Sequence, residues 1–166
     1  MRRLYLLRHA AAVPKGAATD LERRLSAGGR AEMEVVAAHL ARGRAAPDLA
    51  LVSPSARTRE TWTLTRLEAV EARDEEAIYE AAPETLLEVV RRVGEAAPHL
   101  MLVGHNPGIE EFGNLLVGPG GPGGFPTATL ATLEADIGSW ADLSFGEARL
   151  AAFESPATMQ ASPPQG

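Results

Sequence analysis

The chain has 166 residues, 45% apolar and 23% charged, with a formal net charge of −6 from 22 acidic against 16 basic residues. That length suits one compact domain with a real core, and the acidic balance argues against a nucleic-acid binder. There is no cysteine, which excludes disulfide scaffolds, thiolate zinc sites and thiol catalysis.

Along the chain, apolar runs alternate with helical patterns, the mark of α/β architecture. The first run, Arg3 to Leu7 in "MRRLYLLRHA", reads as a strand. Arg8 interrupts it too early for a signal-peptide core, and no stretch reaches transmembrane length. A cytoplasmic protein without membrane contact is therefore expected. Gly28 and Gly29 precede a helix with Met33, Val36, Ala37 and Leu40 on one face. Pro47 breaks the chain, and "LALVS" (Leu49 to Ser53) is a second strand. "SPSARTRETWTLTRLEAV" reads as a helix with Ser53 as N-cap and Pro54 at its first position. Ala77 to Tyr79 suggests an edge strand. Pro83 opens a helix with Leu86, Leu87, Val90 and Val93 on one face, and "HLMLVG" (His99 to Gly104) is a further strand. "HNPGIEEFGNLLVG" reads as a helix capped by Asn106 and opened by Pro107, whereas "GPGGPGGFP" (Gly118 to Pro126) admits no regular element. "ATLATLEAD" and "ARLAAFES" predict an antiparallel hairpin. The expectation is a single domain over 1–154 and a disordered tail over 155–166.

Three strands end alike: "LYLL" runs into Arg8 and His9, "LALV" into Ser53, Pro54 and Arg57, and "LMLV" into Gly104 and His105. Ligands of open α/β sheets sit beyond the carboxyl ends of the strands. If the three are parallel neighbours, Arg8, His9, Arg57 and His105 converge there. Two of the strands also feed helices whose N-termini aim at the same crevice. Such a socket suits a small, multiply charged anion, and phosphate matches the arginine fork. Arg57 and Arg59 point to opposite sides of their helix, so only one can face the crevice and the other is a solvated charge. His39 and His99 read as structural or solvent-facing. No spacing matches a metal site, and the glycine-rich stretch lacks the lysine and Ser/Thr of a P-loop.

"LLRHA", "LVSPSARTRET" and "VGHNPGIEEF", in this order, resemble the histidine phosphatase superfamily, the phosphoglycerate-mutase-like group, and within it the short SixA-type branch of phosphohistidine phosphatases. Asp20, Arg24, Leu25 and Gly28 or Gly29 match that branch's "D…RxL…G" segment, and the resemblance runs from Arg3 to about Phe153. Ala10 stands where the superfamily's motif has glycine, and "RRL" where "RPL" is more usual. The resemblance implies a three-layer α/β/α sandwich, its central sheet mostly parallel with an antiparallel edge. It also implies His9 as nucleophile, with Arg8, Arg57 and His105 binding the phosphoryl oxygens, and neither metal nor other cofactor. Ser53 is a further candidate for phosphate contact. Glu80 in "IYEAAPE" is the best match for a general acid, with Glu84 a poorer one.

Three functions stay open on these grounds. The first is a phosphatase for phosphohistidine on a signalling or phosphotransfer protein, favoured because the long insertions that cap the site in larger relatives are absent. The second is a broad phosphatase for small phosphomonoesters, and the third a phosphate-binding regulator without turnover. Oligomeric state is not legible.

Overall fold

The computed structural model describes residues 1–16, 18–43 and 46–161. The first strand, β1 (Arg2–Arg8), is followed by α1 (Ala27–Arg42), β2 (Leu49–Val52), α2 (Ala56–Leu64), β3 (Glu71–Asp74) and α3 (Pro83–Arg91). Then come β4 (His99–Gly104), α4 (Gly108–Val117), β5 (Leu130–Ala135), β6 (Arg149–Glu154) and α5 (Pro156–Ala161). The strands form one sheet in the order β3-β2-β4-β1-β5-β6. Neighbours from β3 to β1 run parallel, while β5 is antiparallel to both β1 and β6.

β1 and β4 lie at the centre and are covered on both faces, so their sequences are apolar runs rather than alternations. Leu4 and Leu6 pack on one side with Leu86 and Val90 of α3 and Phe112 and Leu116 of α4. Tyr5 and Leu7 pack on the other with Met33, Val36 and Leu40 of α1 and Met159 of α5. That division is the expected three-layer sandwich with an antiparallel edge. At the end of the sheet away from the site, Arg2 donates to the carbonyls of Glu95, Ala96 and Gly138. Its guanidinium lies 5.8 Å from the centre of the Trp140 ring. Among the described residues, no helix is long and apolar enough to cross a membrane.

Several local expectations are corrected. The edge strand is Glu71–Asp74, and Glu76–Ile78 is a 3₁₀ turn. All four β3 residues are exposed, so the strand rests on backbone pairing with β2 and the surface Arg59–Asp74 pair, and carries no apolar signature. α2 begins at Ala56 with Ser55 as N-cap, its hydroxyl accepting from the Thr58 N–H. Ser53, two residues earlier, is still held by the strand, its N–H bonded to the Val103 carbonyl. α4 likewise starts later than expected, at Gly108 after Pro107, and Asn106 does not cap it. The expected disorder from 155 fails for Pro156–Ala161, which form α5, because Met159 is buried to 2% exposure against α1. The rest of that tail, 162–166, lies outside the described residues.

Candidate active site

The ends of β1, β2 and β4 are tied to one another. The His9 N–H donates to the Gly104 carbonyl at 3.1 Å and the Ser53 N–H to the Val103 carbonyl at 3.1 Å. α2 is fastened to the same spot, since Thr61 Oγ1 accepts from the Ala10 N–H at 3.1 Å and donates to the Arg57 carbonyl at 2.7 Å. Arg8, His9, Arg57 and His105 thereby come together on one crevice of about 610 Å³. The His9 and His105 ring centres are 5.4 Å apart. Arg59 points away and pairs with Asp74 at 2.7 Å on the exposed surface. His39 pairs with Glu154 at 2.8 Å, and His99 begins β4 at the far end of the sheet.

The hydrogen bonds fix which ring nitrogens carry protons. His9 Nδ1 lies 2.7 Å from the Ala10 carbonyl, which can only accept, so Nδ1 holds the proton and Nε2 the lone pair. For His105 the assignment is reversed. Its Nδ1 faces Arg57 Nη2 at 3.1 Å, which can only donate, so Nε2 carries the proton and donates to Ser53 Oγ at 2.7 Å. Burial, reinforced by Arg57, Arg8 and Arg23, pushes the His9 pKa down to about 4 against the pull of the Ala10 carbonyl. Burial, with Arg57 and His9 beside it, pushes His105 down to about 3. Both rings are neutral at pH 7.

The arginines are held from behind. Arg8 Nη1 donates to the Phe125 carbonyl at 2.7 Å, and Asn106 Nδ2 donates to the same oxygen at 3.0 Å. The irregular glycine-rich segment therefore ends as a bracket for Arg8, with the Phe125 ring sunk in the core. Arg57 is only 6% exposed. Its Nη1 donates to the Asp20 carbonyl at 2.7 Å and its Nη2 to Asp20 Oδ2 at 3.0 Å. The Tyr79 hydroxyl also donates to Oδ2, and Arg23 Nη1 to Oδ1 at 2.9 Å. That Tyr79 bond, followed by the two arginines, holds the Asp20 carboxyl well below the usual carboxylate range. The same bond pushes the Tyr79 hydroxyl up to about 12.

Two expectations change here. Ser53 is fully buried and does not line the crevice; it stands behind His105 as a hydrogen-bond partner. Of the two helix starts, α4 lines the wall through Pro107 and Gly108, whereas the start of α2 is closed by Ser55 and only Arg57 reaches in. Glu80 does line the crevice, presented by a backbone with φ of 52°; Glu84 does not. The sequence reading missed Lys15 and Arg23, which line the crevice from the loop between β1 and α1. In the "RRL" segment it is Arg23, not Arg24, that reaches Asp20. The family pattern marked Asp20 itself but gave it no contact. Nothing local marked Tyr79, whose partner lies 59 residues away.

No family model matches the chain. An uncharacterised protein of Mycobacterium tuberculosis is 34% identical over 160 residues, spanning 90% of this chain and 99% of that one. Two solved structures provisionally assigned by name as the phosphohistidine phosphatase SixA superimpose over 93% of this chain. The one from Agrobacterium tumefaciens is 34% identical with a TM-score of 0.80 and 98% of its own chain covered. The one from Nakamurella multipartitia is 30% identical with a TM-score of 0.83 and 96% covered. With fold and sequence agreeing over nearly the full length of both, the chain belongs to the histidine phosphatase superfamily, in its SixA-type branch.

Proposed function

We propose that the protein is a phosphatase that works through a phosphohistidine intermediate on His9, and that its substrate is phosphohistidine on a protein. One observation carries the reading. His9 is a neutral imidazole whose Nδ1 is locked on the Ala10 carbonyl, so its free lone pair belongs to a ring lining a crevice with two arginines. Nε2 attacks phosphorus in line; the N–P bond forms as the bond to the leaving group breaks. Arg8 and Arg57 bind the phosphoryl oxygens and offset the charge that builds up as the group transfers, while His105, its N–H on Ser53 and its lone pair on Arg57, holds the Arg57 guanidinium at the crevice. A phosphohistidine's imidazole leaves carrying its own ring proton, so this step needs no acid from the crevice wall. Water then attacks phosphorus, the N–P bond breaks, inorganic phosphate leaves and His9 returns to its neutral form. The SixA-named relatives support the choice of phosphohistidine.

The presence of a carboxyl at the crevice favours one second reading, a phosphatase for small phosphomonoesters. An alkoxide leaving group needs a proton that an imidazole can do without, so Glu80→Gln separates the two. It should slow ester hydrolysis more than tenfold (by general acid loss, roughly 10²–10⁴ in rate) and barely touch phosphohistidine turnover. The test of the main reading compares a phosphohistidine protein with p-nitrophenyl phosphate and sugar phosphates; much faster turnover of the small esters would sink it. His9→Ala should abolish hydrolysis in a folded protein, and wild type should take up phosphate in an acid-labile, base-stable linkage. Full activity in His9→Ala would overturn the nucleophile assignment.

A further inference from the structure

Tyr79 does not line the crevice, yet it touches two groups that do. Its hydroxyl donates to Asp20 Oδ2, and its ring meets the His105 ring edge-on, centres 5.5 Å apart at 86°. Asp20 Oδ2 is the same oxygen that accepts from Arg57 Nη2.

What fastens Asp20 decides where Arg57 points. Asp20 sits in a short 3₁₀ turn, Asp20–Glu22, that buries none of its residues, so packing does little to hold it. Among the described residues, its carboxylate accepts from Arg23, Arg57 and Tyr79. Arg23 follows in the same loop, its Nε held by the Val13 carbonyl at 3.0 Å, and lines the crevice itself. Arg57 is the group being aimed. Tyr79 alone of the three is an anchor in the body of the fold that the crevice does not itself use, since its neighbour Ile78 is buried to 3% exposure in the core.

We infer that Tyr79 is a positioning residue for phosphoryl binding: its hydroxyl fastens Asp20, and Asp20 in turn aims the Arg57 guanidinium into the crevice. The inference rests on the reading of Arg57 as a phosphate-binding group. It also binds the segment carrying Glu80 to the loop carrying Asp20, so two walls of the crevice share one fastening.

The test is a double-mutant cycle read by calorimetric binding of inorganic phosphate, with p-nitrophenyl phosphate turnover alongside. Tyr79→Phe keeps the ring against His105 and deletes one oxygen. In the wild-type background it should weaken phosphate binding and kcat/KM about tenfold, the scale of a hydrogen bond to a charged group. In an Asp20→Ala background, where nothing remains to fasten, it should change neither. Equal losses in both backgrounds, or no loss in the first, overturn the inference. So does a phosphate affinity that Arg57→Ala leaves untouched. A wild type that binds phosphate but hydrolyses nothing defeats the phosphatase reading alone, because the coupling is still measured in binding.

Discussion

Two neutral imidazoles side by side make the site sensitive to acid in a defined direction. His9 has an ordinary value near 6.5 when unfolded and about 4 when folded, so the unfolded chain binds the extra proton first. Its contribution to stability is complete above about pH 6.5 and is lost as pH falls toward 4. Thermal melting should therefore show Tm falling across that interval, and falling less in His9→Gln. If both proteins lose Tm equally, burial of His9 is not what the acid attacks. The two glycines opening α1 give a second test, because a Cβ on Gly29 would lie 1.9 Å from the Ala11 carbonyl oxygen, whereas one on Gly28 would meet only Ser26 Oγ at 3.7 Å. Gly29→Ala should destabilise by about 1–3 kcal/mol and disturb the segment after His9. Gly28→Ala should be neutral or stabilise by up to about 1 kcal/mol. Equal denaturant midpoints for the two variants would contradict that close approach. The open choice between Gly28 and Gly29 is thus decided by backbone contact that no sequence pattern displays.

Elements buried on two faces were the legible ones. β1, β2 and β4 are apolar runs because α-helices cover both sides, and the periodic faces of α1 and α3 mark what they bury. β3 escaped notice because "EARD" buries nothing. The helix starts were misread by a residue or two, since Ser53 and Ser55 flank one proline and either could cap; only the β2–β4 pairing shows which is still strand. The site was legible to the same degree. Arg8, His9 and His105 at strand ends, and Arg57 in the helix turn just after β2, are brought to the crevice as the topology rule leads one to expect. Asp20, Arg23 and Tyr79 lie in loops that meet only in three dimensions. α5 offers the sharpest check at this scale: Met159→Ala should lower stability by about 2–4 kcal/mol, measured by denaturant unfolding. An unchanged midpoint would mean that Pro156–Ala161 do not dock on α1.

Taken whole, the molecule carries a net charge of −6 and yet gathers Arg8, Lys15, Arg23 and Arg57 around one crevice. The sheet makes this possible. Its parallel strands deliver residues distant in sequence to one end of the sheet, while the opposite end is fastened by Arg2. Phosphate affinity should fall with rising salt despite the acidic surface, because within about 8–10 Å the cations Arg8, Lys15, Arg23 and Arg57 outnumber the acids Asp20, Glu80 and Glu111 that line the same crevice; affinity that rises with salt would contradict this. The opposed protonation of the two imidazoles has one more consequence. Neither ring gains or loses a proton between about pH 5 and 8, so the histidines are electrically silent across the range where histidine usually reports. A phosphomonoester's own second ionisation falls there, near about pH 6. Any bend in its affinity over that interval is then set by the ligand's own titration and by protons that the bound dianion draws to the site, since the imidazoles of the free protein are already neutral there.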